Sequence, residues 1–269
     1  MIHLMGSVLV IKDSGFDFTM NKFEQLCSSL EGNNYLPITL AEYMTAETLP
    51  EKYMMMRHDI DRNPSKALET ARIEQDFNIK ATYYFRTIND KLFCPEIINE
   101  VKKMGHEIGY HYEVLNECKG NYEEAIKLFE SNLERFKDLC DVKTVCMHGQ
   151  PLSKYDNRDL WKKYDYRDFG ILGEAYLSIG DSVNYLCDTG RNWNFNHCIR
   201  DFIPNKTESI HVNSTNDLIQ LIEGGETSNF YILTHPERWS SNSFEWLLFY
   251  SKDMVFNLGK EFLRMTRTW

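Results

Sequence analysis

The chain alternates short apolar runs with longer stretches in which apolar residues recur every three or four positions. The short runs predict five strands, at residues 53–57, 81–85, 106–112, 142–147 and 230–234. The longer stretches predict helices at residues 67–77, 95–105, 122–139, 216–222 and 244–263. Strands that alternate with helices of this length are typical of β-α units in a parallel sheet. We therefore expect an α/β fold.

Residues 1–50 precede this regular alternation. Residues 23–30 predict a helix, and residues 35–40 and 42–45 predict a strand, a turn and a short helix. No Gly/Ser-rich or Pro-rich linker follows them. We therefore expect an N-terminal extension, residues 1–50, that packs on a barrel formed by residues 51–269, in a single domain overall.

Polar side chains cluster at the ends of the predicted strands. The clusters are RHDID at residues 57–61, GHEIGYHYE at 105–113, MHGQP at 147–151, DTGRNW at 188–193 and ILTHPERW at 232–239. In parallel α/β architectures the carboxyl ends of the strands meet at one edge, where functional side chains converge. We therefore expect the clusters to form one site.

The first cluster places two aspartates one residue apart. On an extended backbone Asp59 and Asp61 point to the same face. Two close carboxylates do not both stay ionised without a cation or a shared proton. A divalent metal with one aspartate as ligand and the other as base resolves this conflict. The alternative is an exposed turn in which the aspartates cap the helix that begins near Pro64.

Three histidines lie near strand ends in the later clusters. His111 has Glu113 two residues further on, a combination that favours a metal ligand over a core histidine. His148 and His235 each follow an apolar strand directly. The alternative for residues 149–151 is an ordinary turn, because glycine and proline favour turns.

The net charge limits the classes of binding partner, and the cysteine content indicates the cellular compartment. The formal net charge is -10, which disfavours nucleic acid and anionic lipid as partners, and the sequence shows no basic cradle for phosphate. The seven cysteines include no C-x-x-C pair and fit reduced thiols. The sequence shows no secretory signal and no apolar stretch that could cross a bilayer. We expect a cytoplasmic protein without integral membrane association.

The order of the clusters resembles that of the polysaccharide deacetylase family, carbohydrate esterase family four, which contains the NodB-like homology domain. Asp59-Ile60-Asp61 resembles the Asp-x-Asp strand end of some members, and residues 105–111 resemble the family's Gly-His-Glu-Ile-Gly-x-His segment. The later motifs are similar to residues 147–152, 188–193 and 233–235. The resemblance spans residues 53–240.

The resemblance implies a distorted (β/α)7-type barrel with parallel strands. It also implies a metal-dependent hydrolase that removes N-acetyl or O-acetyl groups from a carbohydrate substrate, with Zn²⁺ as the first candidate for the metal. Asp59 would be the base, Asp61 and His111 metal ligands, and His235 the acid that protonates the leaving group. A sugar or glycan intermediate of surface polysaccharide biosynthesis is the substrate that a cytoplasmic member would meet.

One residue departs from the family pattern. The family's second motif has two metal-binding histidines four residues apart, and Leu115 stands at the second of these positions. We expect His148, which replaces an arginine of the family's third motif, to be the third ligand. Glu113 is the backup, and His235 is a further alternative.

Five more side chains are candidates for substrate binding. They are Arg57, Tyr112, Arg191, Trp193 and Trp239. The two arginines could instead hold Asp59 or His235 in the working protonation state, and the three aromatic rings could stack on a sugar or belong to the core.

Two other functions compete with a deacetylase. Leu115 favours a barrel that has lost activity and binds a glycan or a protein. The joint presence of Asp59, Asp61, His111 and His235 favours an enzyme. A metal hydrolase of a cyclic amide or a phosphoester is a third possibility, and the sequence leaves the oligomeric state open.

Overall fold

The computed structural model describes residues 15–151, 153–195, 197–204, 210 and 212–266, with side chains up to residue 261. The interpretation of residues 1–14, and of Leu152 in the third motif, lies outside the described residues. No described helix is long and apolar enough to cross a membrane.

The described strands form a single parallel sheet. They are β1 (Leu36–Pro37), β2 (Tyr53–Ile60), β3 (Ala81–Phe85), β4 (Glu107–Tyr112), β5 (Thr144–Met147), β6 (Gly173–Glu174), β7 (Tyr185–Cys187) and β8 (Asn229–Thr234). Seven of them follow the order β6-β5-β4-β3-β2-β8-β7, and β1 pairs with the start of β2. The sheet curls into a half-barrel, and the Tyr231 hydroxyl on β8 donates across its interior to the Ala175 carbonyl after β6, at 3.0 Å. The predicted distorted barrel of parallel strands is confirmed.

The described α-helices connect the strands or flank the sheet. They are α1 (Met20–Gly32), α2 (Leu40–Thr45), α3 (Pro64–Asp76), α4 (Pro95–Lys103), α5 (Val114–Glu117), α6 (Tyr122–Lys137), α7 (Thr215–Gly224) and α8 (Ser243–Thr266). Short 3₁₀ helices cover Asn157–Lys162, Tyr166–Phe169 and Pro236–Arg238. Proline begins α3 and α4, where its missing N–H is not needed. A capping box of Ser214 and Asp217 begins α7.

The described part of the N-terminal extension packs on the sheet. Its helix α1 contacts α3 and α7, and β1 adds to β2. Phe23, Leu26 and Leu30 of α1 are fully buried. The boundary at residue 50 stays a prediction.

The structure differs from the sequence prediction at the end of β2 and in the second half of the chain. We expected the strand to end at Arg57, but it continues to Ile60. The polar residues extend the strand because Arg57 and Asp59 neutralise each other inside the half-barrel. The strands β6 and β7 were missed because two- and three-residue strands carry no periodic pattern.

Side chains along β2 alternate between the two faces of the sheet. Arg57 points into the half-barrel, where it contacts Tyr231. His58 points outward to the helix layer, where its Nε2 lies 2.6 Å from Glu74 of α3. The Tyr83 hydroxyl donates to the same carboxylate at 2.6 Å, and His106 lies 3.7 Å from it. His58 and His106 therefore belong to a buried polar network of the fold, away from the expected site.

Gly109 on β4 makes room for a ring that crosses the half-barrel interior. A Cβ atom at this position would lie 2.2 Å from the Tyr84 ring and 2.9 Å from the Thr144 carbonyl. The Tyr84 hydroxyl is fixed at its far end, 2.7 Å from Thr144 Oγ1. The ring therefore cannot swing away without breaking a buried hydrogen bond.

We expect Gly109→Ala to lower the free energy of unfolding by about 1–3 kcal/mol, the usual cost of overpacking a core. Urea denaturation would measure it. Gly224→Ala is the matched control, because its Cβ would meet nothing within 4 Å. Equal stability of the two variants would contradict this account of the barrel interior.

Candidate active site and metal centre

The carboxyl ends of the strands surround a cavity of about 310 Å³. Five of the residues singled out in the sequence line it: Asp59, Asp61, His111, His148 and His235. Strands β2, β4, β5 and β8 supply or precede these side chains. The structure therefore brings these five residues together at one cavity, as we expected for the clusters.

Asp61 lies at the centre of three imidazoles. Its Oδ1 is 3.3 Å from His111 Nε2 and 3.5 Å from His148 Nε2, and its Oδ2 is 3.7 Å from His235 Nε2. The Oδ1 atom is buried, and none of the described residues forms a hydrogen bond with it. Burial alone would raise the pKa of Asp61, but the histidines lower it well below its usual range. An ionised oxygen without a donor at this point fits a bound cation.

The rings of His111 and His148 are oriented for a metal. The Nδ1 of His111 lies 3.1 Å from the Cys146 carbonyl, and the Nδ1 of His148 lies 3.1 Å from Glu113 Oε2. Because both partners only accept, each places a proton on Nδ1, so in the neutral imidazole the Nε2 lone pair faces Asp61 and is available to a cation. Metal-binding histidines are usually held in this way. The Oδ1 of Asp61 and the two Nε2 atoms therefore fit a divalent cation.

Glu113 is held away from this point. Arg86 donates to its Oε1 from Nε at 2.7 Å and from Nη2 at 2.5 Å, and Gln150 Nε2 donates to its Oε2 at 2.6 Å. Burial opposes ionisation, but His148 and Arg86 outweigh it and lower the pKa of Glu113 to about 2. The backup role as a ligand does not fit, because both oxygens are used. Glu113 orients His148 instead.

Arg86 closes these contacts into a ring. Its Nη1 donates to the Asp61 carbonyl at 2.7 Å. The contacts thus run from Arg86 to Glu113, to His148, to Asp61 and back to Arg86. These residues follow β3, β4, β5 and β2, which are neighbours in the sheet. We call them the four-residue ring.

Asp59 is locked by a buried arginine. Arg57 donates to Asp59 Oδ1 from Nε at 2.8 Å and to Oδ2 from Nη2 at 2.6 Å. Burial raises the pKa of Asp59, but the charge of Arg57 outweighs it and the net pKa is lowered. Arg57 is completely buried, so the interpretation as a substrate contact is wrong and the alternative role, holding Asp59, fits.

A second group with metal-ligand spacing lies deeper, at Asp59, His111 and Cys146. Arg57 Nη2 lies 2.7 Å from Cys146 Sγ and 2.6 Å from Asp59 Oδ2, so a positive charge already contacts two of these three groups. Burial raises the pKa of the Cys146 thiol well above its usual range despite that arginine. A protonated thiol beside a guanidinium is a poor cation site, so the Asp61 group is favoured.

His235 is held by Asp188. Its Nδ1 donates to Asp188 Oδ1 at 2.6 Å, and its backbone N–H donates to Asp188 Oδ2 at 2.9 Å. Arg238 Nη1 donates to the same carboxylate at 2.6 Å. Burial and Arg238 disfavour the charged imidazole, but Asp188 and Asp61 outweigh them and raise the pKa of His235 to about 9. His235 is therefore protonated at neutral pH.

The three aromatic candidates do not face the cavity. Tyr112, Trp193 and Trp239 are all fully buried, so no ring face is available to a sugar and the stacking interpretation is wrong. Tyr112 accepts a hydrogen bond from Trp161 at 2.7 Å, and Trp193 donates to Thr215 at 3.0 Å. They belong to the core, the alternative given above.

Arg191 is also displaced from its expected position. Its Nε donates to Asp253 on α8 at 3.1 Å, and it does not line the cavity. The arginine that contacts the His235–Asp188 pair is Arg238. The prediction that Arg191 contacts substrate is therefore wrong, and the residue links its loop to α8.

Five site residues received no individual role from the sequence, although Gln150, Asp188 and Arg238 lie within the predicted polar clusters. They are Arg86, Cys146, Gln150, Asp188 and Arg238. Arg86 directly follows the predicted strand at residues 81–85, so its position carried a signal. The partners of Asp188 and Arg238 depend on the tertiary contact between the loop after β7 and the end of β8.

No protein-family model and no curated protein matches this chain. The fold is similar to three solved structures at 13% sequence identity. The first is a CE4 family pseudoenzyme from Bacillus anthracis; the match covers 77% of this chain and 62% of that chain, with a TM-score of 0.42. The second is the Xyl-CE4 domain of a multidomain xylanase from the hindgut metagenome of Trinervitermes trinervoides, where the match covers 77% of this chain and 84% of that chain, with a TM-score of 0.41. The third is a mutant of the peptidoglycan deacetylase PdaC from Bacillus subtilis, where the match covers 78% of this chain and 97% of that chain, with a TM-score of 0.38. The chain spans less than two thirds of the first.

We expect Asp188→Asn to lower the pKa of His235 from about 9 toward its ordinary value of about 6.5. NMR titration of the imidazole in metal-free protein would measure it. The raised pKa of His235 contributes stability that is complete below about pH 6.5 and is lost as the pH rises through about 9. Asp253→Asn, which removes an acid paired with Arg191, is the control. An unchanged His235 pKa in Asp188→Asn would contradict the pairing.

Proposed function

We propose that this protein is a metal-dependent hydrolase that removes an N-acetyl or O-acetyl group from a sugar or glycan intermediate. The observation that carries the proposal is the convergence of Asp61, His111 and His148 beside Asp59 and His235 in one cavity. The five side chains together supply the parts of a hydrolytic site, namely a cation site, a base and an acid.

Asp61, His111 and His148 would hold the metal. One carboxylate oxygen and two imidazole nitrogens, with further positions open, are typical of catalytic zinc, so Zn²⁺ is the proposed ion. When bound, the ion would supply Lewis-acid polarisation of the acyl carbonyl and acidify water. His148 would replace the ligand that Leu115 cannot provide, since Leu115 is buried in the core.

Asp59 is the proposed base. It is ionised at neutral pH because Arg57 lowers its pKa, and its Oδ2 lies 3.7 Å from the proposed ligand His111. It would take a proton from water as the water oxygen bonds to the acyl carbon. General-base catalysis of this kind contributes about 10²–10⁴-fold to a rate.

His235 is the proposed acid. Asp188 keeps it protonated, and its Nε2 faces the cavity beside Asp61. It would give its proton to the sugar nitrogen, or oxygen, as the bond to the acyl carbon breaks. The products are the free amine or hydroxyl and acetic acid, which releases its proton to solvent as acetate, and the proton on Asp59 returns to His235 through solvent.

The proposal includes a cytoplasmic location and a role in surface polysaccharide biosynthesis. The seven cysteines are all free thiols, which fits a reducing compartment. A barrel that only binds glycan or protein is the competing function, and the metal measurement separates the two.

We expect purified wild-type protein to bind about one zinc ion per chain, and Asp61→Ala, His111→Ala and His148→Ala to lose it, because each removes a ligand. Elemental analysis after zinc loading would measure it. Glu113→Gln is the graded control: it keeps all three ligands but loosens His148, with an expected 10–100-fold loss of affinity. Wild type without zinc would overturn the hydrolase in favour of the binding function.

We expect Asp59→Asn and His235→Gln to lower acetate release by about 10²–10⁴-fold while zinc content stays unchanged, because each removes a proton-transfer group and no proposed ligand. Acetate would be assayed over a panel of N-acetyl- and O-acetyl-sugars. His58→Gln, in the polar network on the outer face of the sheet, is the control for histidine replacement away from the cavity. Activity retained in Asp59→Asn would rule it out as the base.

A further inference from the structure

The cavity wall opposite the sheet is formed by α8. Asp253, Asn257 and Lys260 line it from one face of the helix, since residues four and seven positions apart lie on the same side. Asp253 pairs with Arg191 at 3.1 Å, and Asn257 Nδ2 donates to the Gly190 carbonyl at 2.8 Å. These contacts fix the part of α8 from which Lys260 projects.

The carboxylates of the lining are already satisfied, apart from the proposed ligand Asp61. Asp59 is paired with Arg57, and Asp253 is paired with Arg191. Asp201 accepts hydrogen bonds from the hydroxyls of Thr189, at 2.6 Å, and Tyr176, at 3.2 Å. Each of these three acids therefore has its donors within the protein.

Two cations of the lining have no such partner. Arg86 forms a salt bridge with Glu113, and Arg238 forms one with Asp188. Lys260 makes no ion pair or hydrogen bond with the described residues, and Arg62 lies over the Phe256 ring at 5.0 Å without a carboxylate within salt-bridge distance in the described part of the chain. Burial lowers the pKa of Lys260, and Arg238 lowers it further. Asp201 acts in the opposite direction on the pKa of Lys260, but it forms no salt bridge with the lysine.

A polar acceptor also stands open beside Lys260. Asn257 is buried and lines the cavity, and its Oδ1 forms no hydrogen bond with any described residue. A buried acceptor without a donor costs free energy, which a sugar hydroxyl would recover. The wall therefore offers an acceptor for a hydroxyl next to two cations for an anion.

We propose that the substrate is an anionic sugar, whose carboxylate or phosphate binds Lys260 and Arg62 while the acyl group faces the metal site. This inference rests on the proposed function and names its substrate class. The net charge was the argument against nucleic acid and anionic lipid as partners, whereas this proposal concerns a small anion. A net charge of -10 is a sum over the whole chain, and it does not describe a cavity wall.

The test is calorimetric binding to the zinc-loaded protein. The probes are N-acetylglucosamine, its 1-phosphate, and N-acetylmuramic acid, so that phosphate, carboxylate and neutral sugar are compared. We expect at least one anionic sugar to bind about tenfold more tightly than the neutral one, since charge-assisted contacts are the stronger ones. The two anionic probes decide between phosphate and carboxylate.

The variants Lys260→Gln and Arg62→Gln should lose this preference. Lys252→Gln is the matched control, because Lys252 lies on the same helix, is exposed and does not line this cavity. The inference is overturned if wild type binds the three sugars equally, if it binds neither anionic sugar at millimolar concentration, or if Lys252→Gln loses as much as Lys260→Gln. Binding needs no turnover. Acetate release without a preference for anionic sugars would therefore support the deacetylase and contradict this inference. A preference for anionic sugars without acetate release would contradict the deacetylase alone.

Discussion

The buried ion pair between Arg57 and Asp59 is the contact on which the interior of this protein depends. A guanidinium inside a half-barrel is tolerated only with an acid in close geometry, and removing one partner of such a pair costs about 3–5 kcal/mol. The bidentate contact at 2.6 and 2.8 Å provides that geometry. The arginine also lies 4.1 Å from the Tyr176 ring and touches Cys146. The same pair fills the core and fixes the carboxylate at the base of the cavity.

Positions 115 and 148 depart from the motifs that the sequence resembles, and the structure places the two residues differently. Leu115 is buried in the core, whereas His148 lies 3.5 Å from Asp61 at the cavity. Arg57 on β2 supplies a buried guanidinium beside Asp59. Under the proposed function, His148 would provide the nitrogen ligand that Leu115 cannot.

Sequence patterns predicted the strands with apolar runs and the side chains at their ends. The alternation of side chains along a strand was a further signal, which was not used to separate site residues from core residues. His58 differs in parity from Asp59, and Tyr112 from His111, so each pair lies on opposite faces. Which distant side chains satisfy the site could not be predicted, because the contact of Asp188 with Arg238 and the burial of Trp193 arise only when separate segments pack.

The four-residue ring ties four neighbouring strand ends to the proposed cation site. The distances between the proposed ligands therefore depend on how these four strands lie against one another. Core side chains between the strands, such as Tyr84 packed against Gly109, contribute to that arrangement. A substitution inside the half-barrel would therefore alter the geometry of the proposed ligands as well as the stability of the fold, although it touches no ligand.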